Sequence, residues 1–169
     1  MKPVLFCDVD GVLNVPKNSH DVLIETPFTR LTGLPKVFNY KTFRCRPEVA
    51  DFIHDVKADL VWLTAWQRFA PPSLDVLFKR ESAGFLAWEH NVVKWFTDRK
   101  HFHKSVALNK WAENNPDIPF IWIDDHATQF AGLYEFSKRD NVLIMQTETQ
   151  QGLTDEHILQ ANAFIDDLN

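Results

Sequence analysis

Two aspartates one residue apart, Asp8 and Asp10, end the apolar run in "KPVLFCDVDGVLN" and are followed at once by Gly11. Anionic oxygens at the mouth of a strand suit two tasks, holding a hard cation and attacking phosphorus. Further along come Thr64 in "WLTAW", Lys104 in "HFHKSV", and Asp124 with Asp125 in "FIWIDDH". Four carboxylates, a hydroxyl and an ammonium describe a site for a divalent cation and a phosphoryl group. Carboxylates that face one another repel unless a cation separates them, and Mg²⁺ takes a few carboxylates together with water and phosphate oxygens. The metal and Lys104 would bring about three positive charges, enough to let a dianionic phosphate approach Asp8. Attack by the Asp8 carboxylate would give an aspartyl-phosphate and divide one hydrolysis into two displacements. Asp10 would protonate the leaving oxygen and then deprotonate the attacking water. Gly11 leaves space where the backbone must turn beside the phosphate.

These residues converge only if the chain between them folds into an open parallel sheet. Val4 to Val9 is an apolar run without alternation, as expected of a strand buried on both faces. "RPEVADFIHDVKA" predicts a helix with Pro47 at its first position and Val49, Phe52, Ile53 and Val56 on one face. "DLVWLTAW" predicts the second strand, "PPSLDVLFKRESAGF" a helix ending near Gly84, and Leu86 to Val93 a third strand. "KSVALNKWAENN" places Val106, Ala107, Lys110 and Trp111 at helical spacing. "FIWIDD" and "NVLIMQ" predict the last two strands, and "TDEHILQANAFIDDL" a helix capped by Thr154. Alternating strands and helices imply an α/β fold, a three-layer Rossmann-like arrangement of five parallel strands with helices on both faces. Ligands bind such sheets at the carboxyl ends of the strands. Asp8 and Asp10 follow the first strand, Thr64 the second, and Asp124 and Asp125 the fourth, so all fall on one edge. Lys104 opens the helix before the fourth strand and is expected to reach the same crevice; Lys110 is the nearby alternative.

Residues 14–45 break the pattern, with turn formers and scattered hydrophobics but no period. Connections longer than about 12–15 residues are usually functional or disordered. "VLIETPF" and "KVFNYKTF" are expected to pair as a hairpin over the sheet edge, a reduced cap on one domain spanning 1–169.

The formal charge of -5, from 23 acidic and 18 basic residues, creates no global field for nucleic acid. A polyanion would have to be met locally, and Arg99, Lys100, His101, His103 and Lys104 in "DRKHFHK" could form such a rim; a solvated turn is the plainer reading. Cys7, in a strand, and Cys45, in a loop before a helix, suggest no disulfide framework and a reducing compartment. The apolar start is too short for a signal sequence or a membrane span, so a cytoplasmic protein is expected.

Taken in order, "DVDGVLN", "WLTAW", a later lysine and "WIDDH" resemble the four motifs of the haloacid dehalogenase (HAD) superfamily phosphatases, over about residues 4 to 126. The resemblance implies Asp8 as nucleophile and Asp10 as acid and base. It implies Thr64 as holder of a phosphoryl oxygen and Lys104 as the bridge between phosphate and nucleophile. Mg²⁺ would lie among Asp8, the Asp10 carbonyl, Asp124 and Asp125, with Gly11, Ala65, Trp66 and Lys104 toward the substrate. More narrowly, the tryptophan-rich motifs, "HKSVALNKWA" and "GLTDEH" resemble small HAD domains that occur alone or attached to RNA-repair proteins. Asp125 could instead cap the next helix, leaving Asp124 as the metal aspartate. His126 could support the metal ligands or merely begin that helix, and Trp66 and Gln67 could meet the leaving group or simply pack. The small insert encodes no large lid, which suits a phosphate on a nucleotide or a nucleic-acid end. Rival readings are a metal-dependent nuclease of the PIN type, which needs neither Thr64 nor Lys104, and a non-catalytic phosphate-binding module. A phospho-receiver has its acidic pair and lysine in a different order.

Overall fold

The computed structural model describes residues 1–16, 23–27, 42–88 and 103–168. Four parallel strands form the sheet: β1 (Val4–Cys7), β4 (Asp59–Trp62), β5 (Phe120–Asp124) and β6 (Val142–Gln146), in the order β4-β1-β5-β6. The first strand therefore lies inside, with β4 on one side and β5 on the other. Asp8 leaves β1 where the chain's path switches from one half of the sheet to the other, the position at which open α/β sheets form their crevice.

Alternation along the strands divides the core in two. Leu5, Cys7, Leu60, Trp62, Ile121 and Ile123 face helices α1 (Pro47–Asp55) and, near the carboxyl terminus, α4 (Asp155–Asp167). Phe6, Phe120 and Trp122 face the opposite way, toward α2 (His103–Asn114) and α3 (Ala127–Ala131). Helices thus cover both faces, as the sequence pattern implies. On α1 the buried residues are Val49, Phe52 and Ile53, with Val56 just beyond its end. Thr154 caps α4 in a reciprocal capping box with His157.

One expectation is met in part and two need correction. Of the five parallel strands expected, four are seen among the described residues. Beside β4, where a third strand was expected at Leu86 to Val93, Phe85 makes a single parallel bridge with Trp62, and residues 89–93 lie outside the described part. The helix expected to reach Gly84 ends earlier. A 3-10 turn at Gln67–Phe69 and a π-helical turn at Pro71–Asp75 carry the chain to Lys79, whose φ of 50° lies in the left-handed region and stops the helix. Cys45 lies in a strand, not in a loop before the helix. That strand, β3 (Thr42–Cys45), pairs antiparallel with β2 (Ile24–Pro27), in register Glu25 to Arg44 and Thr26 to Phe43. The pairing overlaps the two segments expected to pair, 22–28 and 36–43, and residues 28–41 lie outside the described residues. Both cysteines are buried and free, and burial pushes the Cys45 thiol up to about 12, which leaves it a poor nucleophile.

Among the described residues no helix is long and apolar enough to cross a membrane.

Candidate active site

The parallel ladder continues one residue past β1: the Asp8 amide donates to the Ile123 carbonyl at 3.0 Å, and the Asp8 side chain is then released at the sheet edge. One strand over, β5 ends on Asp124. Both carboxylates are buried, Asp8 at 4% exposure and Asp124 at 0%. The cation between them comes from α2. Lys104, Leu108 and Ala112 recur every fourth residue and are all buried, so the stripe that packs α2 on the sheet also directs its first-turn lysine to the edge. Of the four residues at helical spacing, Val106 and Lys110 are exposed and Ala107 and Trp111 half-buried, so Lys104 and not Lys110 reaches the sheet edge. Lys104 Nζ donates to Asp8 Oδ2 and, at 2.9 Å, to Asp124 Oδ2.

Charge is scarce in that triad, since one ammonium meets two carboxylates. Burial pushes Asp8 up, Lys104 pulls it back, and Asp124 adds to the rise, bringing its pKa from 3.8 to about 7. Burial would lower Lys104, but the Asp8 and Asp124 carboxylates outweigh it and hold the ammonium charged.

Asp10 stands apart from this group. Its Oδ2 accepts from the Trp66 indole Nε1 and its Oδ1 from the Asn14 amide Nδ2, each at 2.9 Å. Asp125 turns toward the loop after β1. Its Oδ2 accepts from Thr149 Oγ1 at 2.8 Å, and His126 Nδ1 lies 2.7 Å from its Oδ1. Gly11, at φ 79°, lets that loop come close: a Cβ there would lie 2.6 Å from Asp125 Oδ2. Thr147 Oγ1 fixes the same loop by donating to the Gly11 carbonyl at 2.7 Å. Asp124, Asp125 and His126 each offer one ligand atom, all within 4.8 Å of one another, so a metal ion fits this cluster. The cluster with Asp8 gives three carboxylates against one lysine, an excess of negative charge and hard oxygen donors suited to a divalent cation.

The fold therefore brings Asp8, Lys104 and Asp124 into direct contact, with Asp125 beside Asp124 and Asp10 two residues from Asp8. Thr64 is buried just past β4, its hydroxyl 3.4 Å from the Trp66 amide, and Ala65 is exposed next to it. Trp66, placed toward substrate by the resemblance and otherwise expected simply to pack, takes the second place: it is fully buried, with its ring edge-on to Phe43 at 6.2 Å and its N–H donated to Asp10. Of the basic stretch 98–104, residues 98–102, His101 among them, lie outside the described part. Asn14 and Thr149 were missed. Asn14 closes the same "DVDGVLN" motif, four residues after Asp10. Thr149 follows the last strand, the one strand end whose polar residues were not read as part of the edge.

The family described as the HAD domain in Swiss Army Knife RNA repair proteins matches residues 4–158. Neither the curated proteins nor the solved structures gave a match. The match extends past the four motifs to "GLTDEH", and Gly152 explains why that segment belongs: at φ 69° it packs against the Val12 carbonyl, and Leu153 N–H donates to the same oxygen at 2.9 Å. With nine-tenths of its length matched and the motif residues gathered at one sheet edge, this chain belongs to the HAD domain family of Swiss Army Knife RNA repair proteins.

Proposed function

We propose that this chain is a Mg²⁺-dependent phosphomonoester hydrolase that works through an aspartyl-phosphate on Asp8, with a nucleotide or a nucleic-acid terminal phosphate as substrate. The observation that carries the reading is Lys104 shared between Asp8 and Asp124. A nucleophilic carboxylate must meet a phosphate dianion, and a lysine already fixed on that carboxylate is placed to offset the repulsion. The family, a HAD domain, suggests the same phosphatase-like chemistry.

In the first step an Asp8 oxygen bonds to phosphorus while the bond from phosphorus to the leaving oxygen breaks, and its electron pair stays with that oxygen. Asp10 gives the leaving oxygen a proton, so that the departing group is a neutral alcohol. In the second step water bonds to phosphorus, its proton goes to Asp10, and the bond from phosphorus to Asp8 breaks. Inorganic phosphate leaves, with Asp8 again a carboxylate and Asp10 again protonated. Thr64 is assigned to a phosphoryl oxygen. Asp8, Asp124 and Asp125 would hold Mg²⁺, which supplies charge neutralisation for the phosphoryl oxygens.

The substrate class rests on the small insert between the first and second motifs and on the family's occurrence in RNA-repair proteins. Phosphate release should be followed across nucleotides, sugar phosphates and RNA or DNA carrying 5′- or 3′-phosphates, with Mg²⁺ or EDTA, for the wild type and Asp8→Asn. Preference for nucleotides or nucleic-acid ends, lost on metal removal and in Asp8→Asn, is expected. Equal turnover of sugar phosphates overturns the substrate class; release that survives Asp8→Asn overturns the nucleophile.

A further inference from the structure

We propose that Asn14 and Trp66 are positioning residues that hold the Asp10 carboxyl group in line for proton transfer, and that strand β3 of the insert holds both. The inference rests on the hydrolase reading above and assigns a task to residues that touch neither phosphate nor metal in it.

Asp10 follows a strand end and carries two rotatable side-chain bonds, so nothing in its own position fixes the plane of its carboxyl group. Two donors from different parts of the chain do. Trp66 Nε1 reaches Oδ2 and Asn14 Nδ2 reaches Oδ1, so each oxygen accepts one hydrogen bond and both torsions are determined. Trp66 is fully buried, where an indole N–H left without an acceptor carries a desolvation cost; here the acceptor is the acid itself, 56 residues away in sequence. Asn14 reaches Asp10 through a tight loop in which Leu13 and Asn14 both donate to the Val9 carbonyl, and Gly11 N–H donates to the Asn14 carbonyl. The clamp leaves the chemistry open. An oxygen that accepts one hydrogen bond still has a position for a proton, so Asp10 can carry or receive one without releasing either donor.

The insert touches the clamp at both donors. Asn14 Oδ1 accepts from the Arg44 amide at 3.0 Å, and Val15 N–H donates to the Arg44 carbonyl at 3.0 Å. Asn14 is thus used at both ends of its amide, one on Asp10 and one on β3. On the other side, the Phe43 ring meets Trp66 edge-on. Neighbouring residues of one strand therefore support the two donors, so the hairpin is a mount for the acid as well as a cover beside the site.

A structural role and a positioning role predict different kinetics. A destabilised protein loses active molecules and slows on every substrate alike, whereas a misaligned acid slows most where the leaving oxygen needs its proton most. The ratio of kcat/KM for p-nitrophenyl phosphate to that for phenyl phosphate reads this directly, because the fraction of folded enzyme cancels. Asp10→Asn should raise the ratio strongly. Trp66→Phe, which keeps an aromatic ring against Phe43 and removes the N–H, and Asn14→Leu should each raise it about 3- to 30-fold, less than the 10²–10⁴ of losing a general acid outright. Neither should raise it further in an Asp10→Asn background. An unchanged ratio in both Trp66→Phe and Asn14→Leu, with Asp10→Asn showing its rise, overturns the positioning role alone. An unchanged ratio in Asp10→Asn overturns the acid role, and the positioning role with it. If Asn14→Leu does not fold, Trp66→Phe decides the matter.

Discussion

At each end of the parallel sheet a cationic side chain sits among oxygens, and the two arrangements differ in what the oxygens are. At the amino end of β4, Arg80 lies against four backbone carbonyls. Its Nη1 donates to Ile53, His54 and Val56 at 2.8 to 3.1 Å, and its Nη2 to Ala58 at 2.6 Å. These are the orphan acceptors at the end of α1 and the turn beyond it, neutral dipoles whose negative ends favour a cation. At the carboxyl end Lys104 lies against two buried carboxylates. The guanidinium closes its neighbourhood: acceptors that would otherwise lack partners gain them, and the charges of Asp59 and Asp55 act to hold the cation. The ammonium does not, because Asp8 and Asp124 carry more negative charge than one lysine can offset. A site that is complete when empty stabilises a fold. One that is still short of positive charge has a use for a metal ion and an electrophilic phosphorus.

Removing the cation from each end should separate the two roles, and the carboxyl end should respond more. Lys104→Met leaves two carboxylates facing each other in a buried setting. Uncompensated buried charge costs about 3–5 kcal/mol, so urea unfolding should show a loss of that size near pH 8. The loss should shrink toward pH 5, where Asp8 can take up a proton, and Mg²⁺ should restore part of the stability at pH 8. Phosphatase activity should fall by about 100-fold or more, the scale of losing one preorganised charge at a reacting centre. Full activity in Lys104→Met would make the lysine a structural cation, as Arg80 is.

The same contrast predicts a pH dependence at one end only, since carbonyl oxygens do not titrate in this range. With Asp8 at about 7 in the fold and 3.8 as its ordinary value, the folded protein holds a proton between those values that the unfolded chain has lost. Metal-free stability should therefore fall as pH rises from about 4 to about 7, by an amount on the order of a few kcal/mol, and level off above. Lys104, shifted upward, stays charged throughout that window and contributes no slope. Subtracting the Asp8→Asn curve, measured in EDTA, isolates the effect; a flat difference would remove the claim that the triad is short of positive charge.

Arg80→Ala should cost about 2–3 kcal/mol of stability, the scale of hydrogen bonds to a charged group, and leave kcat/KM within about twofold. Arg80→Lys should recover little of it, because an ammonium cannot present the planar fork that spans these carbonyls. The measurements are urea midpoints and steady-state rates on one substrate.

What could be read from the sequence follows the same division. Asp8, Asp10, Thr64, Asp124 and Asp125 announce themselves because polar residues at the ends of apolar strands violate the local pattern, and the strands fix their edge. Lys104 is legible as the start of a helix, although its inward direction depends on the buried stripe it shares with Leu108 and Ala112, which the spacing of Val106, Ala107, Lys110 and Trp111 does not reveal. Arg80 gives no signal at all: an arginine in "LFKRESAG" looks like surface, and its partners are backbone atoms, which leave no trace in residue identity. Trp66 stayed open between a ligand-facing and a packed ring for a related reason: Phe43, which packs edge-on against it, comes from the insert with no readable period. Of the third strand, expected at Leu86 to Val93, the described residues show one bridge beside it, Phe85 to Trp62 of β4, and residues 89–93 lie outside them.

Thr147 tests whether every polar group at the carboxyl end serves the chemistry. It is buried one residue past β6, and its hydroxyl donates to the Gly11 carbonyl, so it holds the loop between Asp10 and Asn14 down on the sheet. Its acceptor is a neutral carbonyl, as at Arg80, although its position is that of the charged triad. Thr147→Val keeps the shape and leaves the Gly11 carbonyl without this donor, which should cost about 1 kcal/mol in urea unfolding. If the acceptor's chemistry decides the role, kcat/KM should change by less than about threefold, because a loop held also by the Leu13, Asn14 and Gly11 backbone bonds shifts little on losing one anchor. A loss of activity as large as that of Lys104→Met would mean that position at the carboxyl edge, more than acceptor charge, separates the two ends of the sheet.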